Sequence, residues 1–349
     1  MRKRIGFLSF GHWQNSPMSR TRTAAEALTQ TIELAQEAER IGLDGAYVRV
    51  HHFARQLASP FPLLAAIGAT TKRIEIGTAV IDMRYENPLY MAEEAAAADL
   101  IAGGRLQIGI SRGSPEPALN GARAFGYLPP EGQSDADMAR AKAIHFCEAI
   151  GGAGVARSDP SMTGGSFALP IQPQSAGLNE RIWWGSGTRD TARWAAAQGL
   201  NLQSSTLLSE DTGVPFGELQ AEQIDCFRDA WFAAGWEREP RISVSRSVLP
   251  IVNDEDRLYF GGRDEGRDQL GQLEGVTARF GRSYAGEPDR IAEELARDPA
   301  VQMADTVLLT VPNQLGVEYC ARMLEIIALE VAPAFGWRDP KKALQHDAS

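Results

Sequence analysis

The sequence has 349 residues, 44% hydrophobic and 23% charged, which are values of an ordinary globular protein. Its net charge of -10 disfavours nucleic-acid binding, because an acidic protein repels phosphate backbones, and no apolar run approaches the roughly 20 residues that span a bilayer. With three widely separated cysteines (Cys147, Cys226 and Cys320) and no signal-peptide core, we expect a cytoplasmic protein that has neither a disulfide framework nor a membrane anchor.

Strands and helices alternate along the first third of the chain. The apolar periodicity predicts strands at 4–10, 46–50, 73–81 and 105–110. A capping box at Thr23 and Glu26 begins the first helix, a short helix follows at 61–70, and Asn87 caps a third. Such short strand–helix–strand spacing predicts parallel neighbouring strands joined by right-handed crossovers.

The alternation is interrupted twice. Residues 114–170 hold one predicted helix at 135–150, and we interpret this segment as an insertion over one end of the fold. Residues 253–284 are rich in Gly, Arg and Asp and are a candidate mobile lid. Further strands are predicted at 181–184, 201–204, 242–249 and 304–310, and further helices at 188–198, 218–235 and 317–331. About eight strands predict an α/β fold, a (β/α)8 TIM barrel that forms a single domain over residues 1–349, with both insertions at its C-terminal face.

The active site of such a barrel lies where strands pass into loops at their C-terminal ends. The second strand ends at His51 and His52, which can exchange protons near neutral pH. Adjacent residues of an extended chain point in opposite directions, so at most one of the two is expected to face the centre. The third strand ends at Thr78 and Ala79, whose small side chains would let a flat ring approach the backbone. The alternative for the two histidines is that they are ordinary polar residues at a strand end. The alternative for Thr78 and Ala79 is that their small side chains simply fit a tight barrel interior.

Two arginines lie on other strands. The fourth strand ends in Ser111-Arg112-Gly113, where the arginine is a candidate ligand for a phosphate or carboxylate, with a surface salt bridge as the alternative. In the seventh strand, Arg246 is flanked by serines and is a candidate catalytic residue that would face the mouth and hold an anionic group.

A glycine-rich turn follows the fifth strand and leads directly into a helix. The residues of this turn are Trp184, Gly185, Ser186, Gly187 and Thr188, with Thr191 one helical turn further. Free backbone N–H groups at a helix start can bind an anion, although the same residues also fit an ordinary helix capped by Thr188. The turn is not a dinucleotide fingerprint, because Asp190 stands where that motif needs glycine. No close spacing of histidines and carboxylates predicts a metal site.

Four segments together resemble the luciferase-like flavin monooxygenase family over nearly the whole chain. They are GLDGAYVRVHHF, RIEIGTAVIDMRYENPLYMAEEAAAADLIAGGRLQIGISRG, IWWGSGTRDTARWAAAQGL and YAGEPDRIAEELA. The resemblance implies a (β/α)8 barrel with an insertion. It also implies use of reduced flavin mononucleotide (FMN) or, in one branch of the family, of a deazaflavin coenzyme.

The resemblance assigns cofactor-binding roles to several of these residues. It implies that Thr78-Ala79 is the site of a non-proline cis peptide beneath the flavin ring, and that Arg112 lies near the flavin phosphate. It implies a phosphate-binding turn formed by Gly187, Thr188 and Thr191, which Ser186 adjoins.

The resemblance also implies which residue is catalytic, and this sequence departs from the family pattern at some positions. His51 corresponds to the catalytic histidine of a Glu-His-His-Phe pattern, but Val50 stands where many relatives have the glutamate. Pro115 stands where some relatives have tyrosine, and the arginine of the mobile lid corresponds to Arg279 or Arg282.

These features predict a two-component monooxygenase. Reduced FMN would come from a separate reductase, since no NAD(P)H-binding motif is present, and O2 would oxidise a small organic substrate. A homodimer is implied by the resemblance. The alternatives are a deazaflavin-dependent hydride transferase, a non-catalytic flavin-binding protein and, last, a flavin-free barrel lyase.

Overall fold

The computed structural model describes residues 3–113, 116–263, 267–273 and 276–338. Within them, eight parallel strands form a barrel in which each strand pairs with the next along the chain and the eighth pairs with the first. The barrel strands are β1 Arg4–Ser9, β2 Gly45–Val48, β3 Glu75–Thr78, β4 Leu106–Ser111, β5 Ile182–Ser186, β6 Asn201–Ser204, β7 Ile242–Pro250 and β8 Thr306–Thr310. The predicted (β/α)8 barrel is therefore confirmed.

A long helix follows each barrel strand. These helices are α1 Ala24–Ile41, α2 Pro60–Thr70, α3 Pro88–Ile101, α4 Asp135–Ile150, α5 Arg189–Ala197, α6 Phe216–Ala234, α7 Pro288–Ala296 and α8 Val317–Ile326. Local sequence sets several of their ends, as in α1, which begins at the capping box of Thr23 and Glu26 and ends at Gly42 with φ 110°. Among the described residues, no helix is both long and apolar enough to cross a membrane.

The barrel strands have two faces with different roles. Outward-facing side chains such as Ile76, Ile108 and Val244 join the helices in one large apolar core. Inside the barrel, Leu8, Tyr47, Ala79 and Leu308 form a separate small cluster, with Phe10 packed against it. Because Leu8, Phe10 and Ala79 lie at the C-terminal ends of β1 and β3, we call this cluster the apolar floor of the mouth.

Glycine is required at strand positions where the barrel interior has no room for a side chain. A Cβ atom on Gly109 would collide with the Thr78 carbonyl oxygen and the Gln203 side chain, and one on Gly77 would collide with the Gln107 carbonyl oxygen. At the opposite end of the interior, the Arg241 guanidinium binds the Glu75 carboxylate at 2.9 and 3.0 Å. The interior is therefore filled, which leaves the C-terminal mouth as the place for a ligand.

The two interrupting segments contain short regular elements. Ala156–Arg157 pairs antiparallel with Ala168–Leu169 in the first. In the second, where no strand was predicted, Gln269–Leu273 and Val276–Phe280 form an antiparallel pair, and Leu207–Leu208 from the β6–α6 loop joins it as a third strand. We call these three strands the lid sheet. Pro115 lies outside the described residues.

Candidate functional site

His51 lies at the mouth of the barrel, just past the end of β2, and both of its ring nitrogens have partners. Its Nδ1 atom is 3.1 Å from Glu116 Oε1, and its Nε2 atom accepts a hydrogen bond from Arg49 Nε at 3.3 Å. The ring stacks on Phe10, with 6.2 Å between the ring centroids. The structure thus brings a carboxylate, an imidazole and a guanidinium together beside the apolar floor.

Arg49 and Glu116 were not predicted from the sequence. Arg49 is partly buried, and its Nη1 atom donates to the Ala79 carbonyl oxygen at 3.4 Å. Burial lowers the pKa of Arg49, while the carboxylates of Asp82 and Glu116 act in the opposite direction. No local pattern marks Glu116, which lies in the predicted insertion, but the strand alternation of Tyr47, Arg49 and His51 is a signal that places Arg49 on the inner face.

His52 points the other way and packs among aromatic rings. Its ring stacks on Tyr85 with 4.1 Å between centroids and meets Phe125 edge-on at 5.2 Å. Burial lowers the pKa of His52, and its Nε2 atom is buried without a hydrogen-bond partner among the described residues. The two histidines are therefore separated, with His51 alone beside Arg49 and the floor.

The third and fourth strands are joined through Thr78. Its hydroxyl donates to the Gly109 carbonyl oxygen at 2.8 Å and accepts from the Gly109 N–H at 3.0 Å, so this side chain connects two strands of the wall. Ala79 belongs to the apolar floor. The non-proline cis peptide bond is Ala79–Val80, one bond later than the resemblance implies.

The end of β4 turns sharply. Ser111 Oγ accepts from the Gly113 N–H at 2.8 Å, and Gly113 has φ 93°. The Asp82 carboxylate fills the space that a Cβ atom on Gly113 would need, so only glycine fits here. The side chain of Arg112 is exposed.

The turn after β5 is a complete capping box. Thr188 Oγ1 accepts from the Thr191 N–H at 3.1 Å, and Thr191 Oγ1 accepts from the Thr188 N–H at 3.3 Å. The hydroxyls of Ser186 and Thr191 are 2.5 Å apart, and Gln223 Nε2 donates to the Ser186 and Thr188 carbonyl oxygens. Within the strand, Trp184 packs against Trp194 on the outer face, and Gly185 lies against Val80 and Ser111.

A carboxylate already lies at the start of α5. Glu210 Oε2 accepts from the backbone N–H of Arg189 at 3.1 Å and is 3.3 Å from Arg189 Nε. Its neighbour Ser209 donates its N–H to the Gly187 carbonyl oxygen at 2.8 Å. The β6–α6 loop therefore packs on the predicted phosphate turn, and one of the N–H groups there is bound to an internal anion.

The lid sheet connects to the same loop. Arg279 of the lid sheet is 2.6 Å from Asp211, and it also lies 3.6 Å from Asp268. Arg282 pairs with Glu294 at 3.1 Å and lies over the ring of Tyr284. Both candidate lid arginines are thus paired with carboxylates, and the Arg279 pair joins the lid sheet to the loop that carries Glu210.

Arg246 lies away from the mouth, contrary to the sequence-based expectation. It alternates with Val244 and Val248, which belong to the outer core, and its guanidinium binds Asp298 at 2.8 and 3.1 Å. The Tyr284 hydroxyl donates to the same carboxylate at 2.6 Å. Strand alternation explains the placement, because a side chain between two outward valines also points outward.

Comparisons with known proteins agree with the fold. A family model described as luciferase-like monooxygenase matches residues 5–259. The N-acetyl-S-alkylcysteine monooxygenase of Bacillus subtilis strain 168 is 25% identical over 320 residues, which are 85% of this chain and 90% of that protein. The oxygenase component of the flavin-dependent trigonelline monooxygenase of Acinetobacter baylyi is 34% identical over 110 residues, 31% of this chain and 30% of that protein. For the trigonelline monooxygenase and two further curated relatives, the part that matches this chain covers only 30% to 56% of the relative's own length.

Solved structures share the barrel. The oxygenating constituent of 3,6-diketocamphane monooxygenase from Pseudomonas putida, in complex with FMN, superimposes with a TM-score of 0.67 at 18% identity, covering 95% of this chain and 99% of that one. The coenzyme F420 dependent tetrahydromethanopterin reductase of Methanopyrus kandleri superimposes with a TM-score of 0.62 at 15% identity, covering 96% of this chain and 100% of that one. At such identities the likeness establishes the fold.

Proposed function

The chain belongs to the luciferase-like monooxygenase family, and we propose that it is the oxygenase of a two-component system that uses reduced FMN and O2 to oxidise a small organic substrate. The observation that carries this proposal is the group of Arg49, His51 and Glu116 beside the apolar floor of the mouth. The name of the Acinetobacter relative, an oxygenase component, supports a separate reductase. The FMN complex among the structural neighbours supports FMN as the flavin.

The residues at the mouth fit a flat heteroaromatic ring. Ala79 after β3 and Gly185 on β5 keep these two strand ends free of bulk, and a Cβ atom on Gly185 would lie 2.8 Å from the Val80 side chain. Gln203 Oε1 and Glu116 Oε2 are buried acceptors without a hydrogen-bond partner among the described residues. A flavin ring offers both an apolar face and N–H groups, so it matches this combination.

For the phosphate of FMN we propose the turn after β5 together with Arg112. The donors of this turn are the hydroxyls of Thr188 and Thr191, with Ser186 next to them, and the N–H groups around Gly187. A bound phosphate would replace some of the capping hydrogen bonds that these groups make within the turn. A phosphate there would lie beside Glu210, and two anions at contact distance repel each other. Phosphate binding therefore requires the Glu210 carboxylate to move away from the start of α5.

The chain's own residues would assist the reaction in three ways. A reduced flavin, when bound, would supply two of the four electrons that reduce O2; the substrate would supply the other two and take up one oxygen atom, and the second oxygen atom would leave as water. His51 is placed to move a proton at the mouth, and Arg49 contributes a positive charge beside it. The apolar floor of Leu8, Ala79 and Leu308 excludes water from below.

Oxygen-dependent turnover tests this function. Purified protein would be supplied with FMN and a flavin reductase, and substrate oxidation would be followed across a panel of small organic compounds with and without O2. Oxidation that requires both FMN and O2 is expected. Turnover with a deazaflavin coenzyme in the absence of O2 would favour hydride transfer instead, and tight flavin binding without any turnover would favour a non-catalytic flavin-binding protein.

A threonine substitution tests the proposed phosphate turn. Thr191→Val should weaken FMN binding while leaving riboflavin binding unchanged, because riboflavin lacks the phosphate. Thr29→Val, an exposed threonine on α1, is the matched control. Equal loss for both flavins would contradict the phosphate assignment.

We also propose a homodimer in the cytoplasm. Tyr90, Leu100 and Ile101 of α3 are exposed apolar side chains, which supports a subunit interface on that helix. The three cysteines are unpaired, which supports a reducing compartment. Light scattering of the purified protein would measure the oligomeric state.

A further inference from the structure

The hydrogen bonds of His51 determine which of its nitrogens carries the proton. A guanidinium has only N–H donors, so His51 Nε2, at 3.3 Å from Arg49 Nε, must be the acceptor. The proton of the neutral ring is then on Nδ1, where it is donated to Glu116 Oε1 at 3.1 Å. Both contacts specify the same tautomer.

The surroundings hold this arrangement in place. The side chain of Glu116 is 3% exposed, and that of His51 is 14% exposed. Phe10 stacks on the imidazole, which limits rotation of the ring. A carboxylate removed from water needs a hydrogen-bond donor, and Nδ1–H of His51 supplies one to Glu116.

We propose that Glu116 and Arg49 are positioning residues that hold His51 as the neutral Nδ1–H tautomer, with Nε2 kept as the proton acceptor at the mouth. The role of His51 in turnover rests on the proposed function, whereas the tautomer does not depend on any flavin. Arg49 covers Nε2 in the resting protein, so proton acceptance at Nε2 requires the guanidinium to turn aside. Glu116 keeps the ring oriented while that happens.

Nitrogen-15 NMR of the histidine rings tests the tautomer directly. The chain has five histidines, and His51→Gln assigns the His51 signals by their loss. In spectra of the full-length protein, Nδ1 of His51 should be protonated and Nε2 bare. A His51 ring with its proton on Nε2 would overturn the proposal.

Two variants of Glu116 separate positioning from a general effect on folding. Glu116→Gln keeps a carbonyl acceptor for Nδ1–H and should retain the tautomer, whereas Glu116→Ala should release the ring to a mixture of both tautomers. Glu131→Ala, an exposed glutamate of the same segment, is the matched control and should change nothing. Loss of the tautomer in Glu116→Gln, or its retention in Glu116→Ala, would contradict the role of Glu116.

Kinetics add a second readout. Glu116→Ala should lower kcat by about 10- to 100-fold, which is part of the roughly 10²- to 10⁴-fold that a positioned proton-transfer group contributes. Unchanged kcat would contradict the role in turnover. If the wild-type protein binds no flavin at all, the proposed function fails, but the NMR result still decides whether Glu116 and Arg49 position His51.

Discussion

Replacing Asp298 by alanine should strongly destabilise the folded protein. The Asp298 side chain, 4% exposed, accepts hydrogen bonds from Arg246 at 2.8 and 3.1 Å and from the Tyr284 hydroxyl at 2.6 Å. It also caps the helix Pro299–Met303 through two backbone N–H groups at 3.0 and 3.1 Å. Burial opposes its ionisation, yet the Arg246 guanidinium holds the pKa of Asp298 below its ordinary value.

The magnitude follows from what the substitution leaves behind. Breaking a buried ion pair costs about 3 to 5 kcal/mol, because the Arg246 cation stays in the core without its partner. Loss of the helix cap adds about 1 kcal/mol. Asp298→Ala should therefore lower the free energy of unfolding by about 4 to 6 kcal/mol, out of a typical total of about 5 to 15 kcal/mol.

Urea denaturation followed by tryptophan fluorescence measures this loss, since the chain has seven tryptophans. Asp159→Ala removes only an exposed cap from the helix Pro160–Thr163, and it should leave the unfolding midpoint almost unchanged. A loss for Asp298→Ala below about 1 kcal/mol would refute the reasoning. The buried Arg246 cation would then be stable in the core without Asp298.

Three further substitutions have defined outcomes. Glu210→Gln should raise FMN affinity about fivefold relative to riboflavin in equilibrium titrations, because one unit charge at about 4 Å in water-like surroundings is worth about 1 kcal/mol; an unchanged ratio would show that Glu210 does not compete with phosphate. Burial and the neighbouring Glu94 raise the pKa of Glu86 to about 7. The folded protein therefore holds this proton more tightly than the unfolded chain, and the free energy of unfolding should fall as the pH rises from about 4.5 to 7. Glu86→Gln should remove this part of the pH dependence of the unfolding free energy, and an identical profile would contradict the assignment. Gly109→Ala should lower the free energy of unfolding by about 1 to 3 kcal/mol in urea, because the added Cβ has no space between Thr78 and Gln203; no loss would mean that the wall relaxes freely.

The barrel was predictable because its strands repeat a simple pattern. Leu106, Ile108 and Ile110 alternate along β4 and face the helices, as a two-residue period requires. The same rule also places Arg246 on the outer face, between Val244 and Val248. The outward direction of this side chain was therefore predictable, but the flanking serines led to the wrong expectation that it faces the mouth.

The rest of the site depends on contacts between residues far apart in sequence. Glu116 reaches His51 from the segment after β4, and Glu210 reaches the start of α5 from the loop after β6. Neither glutamate has a local pattern that distinguishes it from an exposed one, so only the folded chain reveals its partner. The helix α7 was not predicted as a separate element, although Pro288 stands at its first position.

A crystal structure of the protein with FMN would test the central claim most directly. We predict that the flavin ring lies on the floor formed by Leu8, Ala79 and Leu308, beside His51, with its phosphate at Thr188 and with Glu210 turned away from α5. Flavin bound elsewhere, for example in the cavity of about 430 Å³ that Arg246 and Asp298 line outside the barrel, would contradict the account.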